Sequence, residues 1–176
     1  MTIALLRPTH DLLDSWMEAV SEFGGGHVDG ASLLEGAPAD RVALDELVLR
    51  AVQLADTSIA PPEGFVHNDL YWIVDDGEVV GFISLRHELN EYLHAFGGHI
   101  GYSVRPSRRR QGYATAALSL ALDRAREIGL DRVLLTCDDD NVASARTIEN
   151  AGGELEDVRE GPEGHDAMVR RYWITL

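Results

Sequence analysis

The stretch Val104-Arg105-Pro106-Ser107-Arg108-Arg109-Arg110-Gln111-Gly112-Tyr113-Ala114-Thr115 decides how the chain is read. It passes from an apolar strand end through a short basic loop into a run rich in Ala and Leu, which predicts a helix. That order aims the free N–H groups of a helix's first turn at whatever lies above the loop, and the helix dipole favours an anion there. Three arginines beside those amides suit a polyphosphate, and Gly112 stands where a Cβ would hold backbone away from it. The loop lacks the glycines of a GxGxxG dinucleotide site and the Lys-Ser or Lys-Thr of a P-loop.

Outward from this loop, the chain reads as alternating strands and helices. Residues 2–7 alternate weakly as a first strand. Leu12, Leu13, Trp16, Val20 and Phe23 then recur at helical spacing after Thr9, a candidate N-cap. Residues 24–37 hold five glycines and read as a mobile loop, and a second amphipathic helix is expected over 39–56. Two apolar runs, 70–74 and 79–85, flank Asp75-Asp76-Gly77-Glu78 as a hairpin. A polar excursion over 87–98 leads to a strand over 99–104, and a helix follows over 112–128. Val133-Leu134-Leu135-Thr136-Cys137 reads as a strand covered on both faces. A helix over 141–151 and two last strands complete the chain. The 176 residues are expected to form one domain, 1–176.

The strand–loop–helix segment resembles the pyrophosphate loop of the GNAT superfamily of acyl-CoA-dependent N-acetyltransferases. That loop reads Gln or Arg, two residues, Gly, one residue, then Gly or Ala, and Arg109, Gly112 and Ala114 occupy those positions. The order of elements also matches that superfamily. The implied fold is α/β, with a mixed, mostly antiparallel central sheet flanked by helices on both faces. The resemblance covers residues 68–160 and implies acetyl-CoA as co-substrate and direct transfer to a primary amine. It implies cofactor contacts from Arg109, Arg110, Gln111, Gly112, Tyr113, Ala114 and Thr115, and from main-chain groups around Ser103 and Val104. Asn141, after a strand, and Ser144, one helical turn on, match the positions that face the cofactor in relatives. Their own chemistry equally fits a helix cap.

Two positions depart from the superfamily pattern. Many members carry Tyr seven residues after that Asn to protonate the leaving thiolate; here it is Ile148. Tyr102, Tyr113 or water stand as substitutes. Several members place Glu or His six residues before the Val that enters the loop, and here that residue is Gly98. The candidate catalytic bases are then Glu88 and His99, with His87 or a water relay as alternatives. A base works best with a pKa near the operating pH, which imidazole supplies most readily. With the usual positions altered, a non-catalytic acyl-CoA sensor on the same scaffold is the rival reading.

Composition bounds the partners. The net charge of −15 argues against nucleic acid and favours a small cationic amine acceptor. No apolar run approaches the ~20 residues that span a bilayer, so no membrane role is expected. The lone cysteine, Cys137, excludes an internal disulfide and fits a cytoplasmic setting. The seven histidines lack metal-ligand spacing, so no metal is expected. The resemblance leaves the oligomeric state open, a homodimer included.

Overall fold

In the computed structural model, which describes residues 2–32, 36 and 38–176, seven strands form one sheet in the order β1-β2-β3-β4-β5-β7-β6. Leu33, Leu34, Glu35 and Ala37 of the expected glycine-rich loop lie outside the described residues. The strands are β1 (Ile3–Leu6), β2 (Asn68–Asp75), β3 (Glu78–Arg86), β4 (Ile100–Val104), β5 (Arg132–Asp138), β6 (Glu154–Glu160) and β7 (Met168–Thr175). The helices are α1 (Leu13–Ser21), α2 (Arg41–Ala55), α3 (Tyr113–Glu127) and α4 (Val142–Asn150). Every neighbouring pair is antiparallel except β4 and β5, which α3 connects as a crossover. The expected fold class is therefore the observed one.

The apolar periodicities sort the helices onto the two faces. Ala117, Leu118, Ala121, Leu122 and Ala125 of α3 bury against Ile73, Ile83, Leu85, Ile100, Val133 and Leu135, with α4 adding Ala145 and Ile148. On the opposite face Leu44, Leu47 and Ala51 of α2 and Trp16 of α1 cover Leu70, Trp72 and Phe82. Trp16 stacks on Trp72 with ring centroids 6.1 Å apart. The β2–β3 hairpin turns at Asp76 (φ 48°) and Gly77 (φ 78°), the paired positive angles that match the twist of its strands.

Two local expectations are corrected, and the order of the last two strands is settled. Thr9 caps a 3-10 turn over His10–Leu12 rather than α1 itself, because its hydroxyl takes the Asp11 amide. The excursion after β3 contains a π-helical turn, Leu93–Gly97, which its polar composition hid. The last strand, β7, inserts between β5 and β6 and pairs with both.

Candidate active site

The loop between β4 and α3 is shaped by its backbone. Arg109 is extended, Arg110 has φ 63° and Gly112 has φ 87°. The loop thus turns through two left-handed residues, and turns of this kind can gather backbone N–H groups around an anion. Gly112 is the N-cap of α3 and supplies no side-chain oxygen, so the first-turn amides remain open. Gln111 and Thr115 are exposed beside it, and Ala114 is half-buried.

The arginines divide into two sets. Arg105 is buried and held by Glu22 and Glu78, and Arg108 pairs with Glu78. These two cations are already neutralised. Arg109 and Arg110 have no carboxylate partner among the described residues, and Arg109 Nε donates to the Val104 carbonyl at 3.1 Å. The expectation of three arginines for phosphate reduces to these two. The Tyr113 side chain is buried and its hydroxyl donates to Asp75 at 2.7 Å, which leaves only its backbone open at the loop.

A gap opens beside this loop. β4 and β5 share a single register pair, Ile100 with Leu135, and separate beyond it. Arg86 N donates to the His99 carbonyl at 2.7 Å and Arg105 N to the Val80 carbonyl at 3.0 Å. By the alternation of an antiparallel pair, the main-chain groups of Gly101 and Ser103 also face β3, while those of Tyr102 and Val104 face the gap. The strand edge open to a ligand is thus Tyr102 and Val104. Ser103, expected there, is turned the other way.

Across the gap, Asn141 Oδ1 accepts the Ser144 amide at 3.1 Å and so caps α4. Ser144 Oγ lies 2.9 Å from the Tyr102 hydroxyl. Burial pushes the Tyr102 phenol up to about 12, so it holds its proton through the neutral range. Burial likewise pushes the Cys137 thiol up to about 11, which leaves it a poor nucleophile. Ile148, where many relatives have Tyr, is fully buried in the core.

Neither expected base presents a free basic group on the open edge of β4. A side chain at Gly98 would begin 2.5 Å from the Leu134 carbonyl oxygen, and its φ is +64°, so the backbone itself excludes the customary base there. Glu88 is 60% exposed and faces His67 at 3.6 Å, in a pocket with His87 and Arg124 on the β2 side of the sheet. His99 is buried and its Nδ1 accepts the Leu134 amide at 2.9 Å. That bond engages the lone pair of a neutral ring whose proton must then sit on Nε2. Burial, with the charges of Arg86, Arg132 and His94, lowers its pKa to about 4. His99 fastens β4 to β5, and its basic nitrogen is not available to substrate.

Sequence reasoning also missed Glu22, which joins α1 to the loop from 83 residues away. Asp69 was missed as well; it is fully buried among Arg7, Arg124 and His87 at 2.9, 3.0 and 3.2 Å. No spacing in the sequence points to either. Among the described residues no cluster of three or more His, Cys, Asp or Glu could hold a metal ion, and no helix is long and apolar enough to cross a membrane.

The site thus combines an uncapped helix start, two arginines without a carboxylate partner among the described residues, and an unpaired edge of β4 beside β5. The Acetyltransferase (GNAT) family model matches residues 40–152, and the chain belongs to that family. It is accordingly an acetyltransferase with acetyl-CoA as donor. Among solved structures, the microcin C7 self immunity acetyltransferase MccE, in complex with acetyl-CoA and AMP, aligns with a TM-score of 0.71 at 16% identity, covering 99% of this chain and 92% of that one. RimL, a ribosomal L7/L12 alpha-N-protein acetyltransferase in complex with coenzyme A, aligns at 0.73 and 16%, covering 100% and 95%. A putative GnaT-family acetyltransferase from Bordetella pertussis aligns at 0.67 and 19%, covering 97% and 94%. At these identities the likeness is one of fold. No curated protein matches the chain significantly by sequence.

Proposed function

We propose that the chain transfers acetyl from acetyl-CoA directly to a primary amine of a small molecule, with both substrates bound at once. The observation that carries this reading is the open main-chain edge of Tyr102 and Val104 running into the uncapped start of α3. On this reading the pyrophosphate lies on the amides of residues 110–115, with Arg109 and Arg110 as its cations. The extended arm of the cofactor adds to β4 as a strand would, with Asn141 and Ser144 along its other side.

The amine nitrogen attacks the thioester carbonyl carbon, the C–S bond breaks, and CoA leaves as a thiolate. The carbonyl oxygen gains negative charge as it is attacked, and a main-chain N–H on the open edge of β4 is the donor positioned for it. Tyr102 returns a proton to the sulfur, and Ser144 Oγ, 2.9 Å away, is its hydrogen-bond partner in that transfer. Water takes the proton of the acceptor ammonium before the free amine attacks, and a second proton, lost from the nitrogen after attack, returns through water to the Tyr102 oxygen, because Glu88 faces another pocket and the His99 lone pair is engaged.

A cationic acceptor finds less support in the local charges than in the total. Asp138 and Asp139 are paired with His165 and Arg170 at 2.8 and 2.6 Å, and Glu88 faces His67. The net charge of −15 therefore does not choose the acceptor by itself.

The test is release of CoA thiol from acetyl-CoA across a broad amine panel, for the natural chain and for Tyr102→Phe. The natural chain should release thiol with some amines. The variant should lose ~10²–10⁴-fold in kcat with little change in KM for acetyl-CoA, the range in which a positioned proton donor acts. Tight acetyl-CoA binding without release for any amine would favour a non-catalytic acyl-CoA sensor, to which the excluded side chain at Gly98 already lends some support.

A further inference from the structure

Arg86 ends β3 on the face opposite α3, directly across from Asn68 of β2. Its Nη1 donates to the carbonyls of Gly97 and Gly98, both at 3.0 Å. A side chain at Gly101 of β4 would begin 3.9 Å from both Nη1 and Nη2, so the guanidinium lies over β4 in space that glycine leaves open. The loop joining α1 to α2 reaches the same place: a side chain at Gly30 would meet the Gly101 carbonyl oxygen at 2.4 Å.

The two buried arginines each have two carboxylates. Arg105 has Glu22 and Glu78; Arg171 has Glu156 and Asp157. Arg86 has none within 4 Å among the described residues. Asp29, on the covering loop, faces His27 at 3.2 Å, although its charge still favours the Arg86 cation. Arg86 is half-buried rather than buried, so the guanidinium is held by protein on one side and keeps its other edge within reach of solvent and of a ligand. Asn68 Oδ1 on the same face is also buried without a partner. With Nη1 pinned by the two carbonyls, Nε and Nη2 remain as a parallel pair of donors. That edge matches the two oxygens of a carboxylate.

Resting on the transferase reading above, we propose that Arg86 receives a carboxylate of the acceptor, so that the amine acetylated belongs to a short amino acid. The nucleophile must approach the thioester from the side not filled by α3 and α4, which is the face where Arg86 lies. The guanidinium lies over Gly101, the residue next to Tyr102 on the open edge of β4, so the two are a short distance apart. An α- or β-amino acid spans such a distance.

The experiment compares kcat/KM for a set of α- and β-amino acids with that for their own carboxamides, in the natural chain, Arg86→Gln and Arg86→Lys. Circular dichroism and acetyl-CoA affinity report whether each variant is folded. The natural chain should favour the acids by roughly 10–100-fold, the span of a charge-assisted hydrogen-bonded contact. Arg86→Gln should bring acid and carboxamide to within a few-fold of each other, and Arg86→Lys should retain part of the preference. Turnover of both without preference in the natural chain, or a preference that survives Arg86→Gln, overturns the assignment and leaves the transferase reading standing. If Arg86→Gln does not fold, the natural chain and Arg86→Lys decide by the same comparison. Acetyl-CoA binding without turnover of any amine overturns both.

Discussion

Gly112 concentrates the chemistry of the cofactor loop in one residue. Its φ of 87° is open to glycine and strained for other side chains, and as the N-cap it leaves the first amides of α3 without an internal acceptor. Gly112→Ala separates the strain, worth about 1 kcal/mol, from any effect on the ligand. Gly112→Glu adds a negative charge where the pyrophosphate is proposed to lie. Its acetyl-CoA affinity, measured by calorimetry, should fall at least ~10²-fold below that of Gly112→Ala, with circular dichroism unchanged. Equal affinities for the two variants would remove the phosphate site from this loop. The glycine was legible in the sequence because its role is local. The committed lone pair of His99 was not, because it depends on the amide of Leu134, 35 residues away.

At the scale of elements, α1 is fastened to the loop. Glu22, the C-cap of α1, accepts from Arg105 Nε at 2.8 Å and from the Ser107 amide and hydroxyl, both at 2.9 Å. Glu78 at the start of β3 takes the other side of Arg105 and the whole of Arg108. A carboxylate shared among so many donors fixes the approach to the open amides, while Arg109 and Arg110 stay outside the network. Glu22→Gln keeps the shape and removes the charge, and its single oxygen can replace only part of the set. KM for acetyl-CoA should rise about 10-fold with kcat nearly unchanged, the pattern of a group that positions the cofactor without acting in the transition state. An equal fall in kcat at constant KM would contradict that role. Helix and strand periods, the Asp-Gly hairpin and the α3 start could be read from neighbouring residues. The π turn, the β6–β7 order and this clamp could not, since each is decided by contacts between distant segments.

For the whole molecule, the same buried groups set how stability depends on pH. The His99 pKa is about 4 in the folded chain against 6.5 as the ordinary value, because burial, then the charges of Arg86, Arg132 and His94, oppose its protonation. A depressed histidine pKa means that the unfolded chain takes up its proton first as pH falls. Stability from this group is complete above 6.5, declines between 6.5 and 4, and is lost below 4, an effect of roughly 3 kcal/mol at most. Two carboxylates act lower down. Burial alone would raise Asp69, but the His87 ring 3.2 Å away and a hydrogen bond from Arg124 hold it at about 2. Hydrogen bonding from Arg105 holds Glu22 at about 2. Both are lowered, so their contributions are present above their ordinary values near 4 and vanish as pH falls toward 2. The net charge of −15 works in the opposite sense, because protonation relieves repulsion across the surface. Measuring Tm at high salt screens that repulsion and leaves the buried groups largely untouched. Under those conditions Tm should fall in two stages, one between pH 6.5 and 4 and a steeper one below 4. His99→Gln retains an acceptor for the Leu134 amide and cannot titrate, so it should abolish the first stage and keep the second. A first stage that persists in His99→Gln would assign it to another group and return His99 to consideration as an accessible, titrating residue.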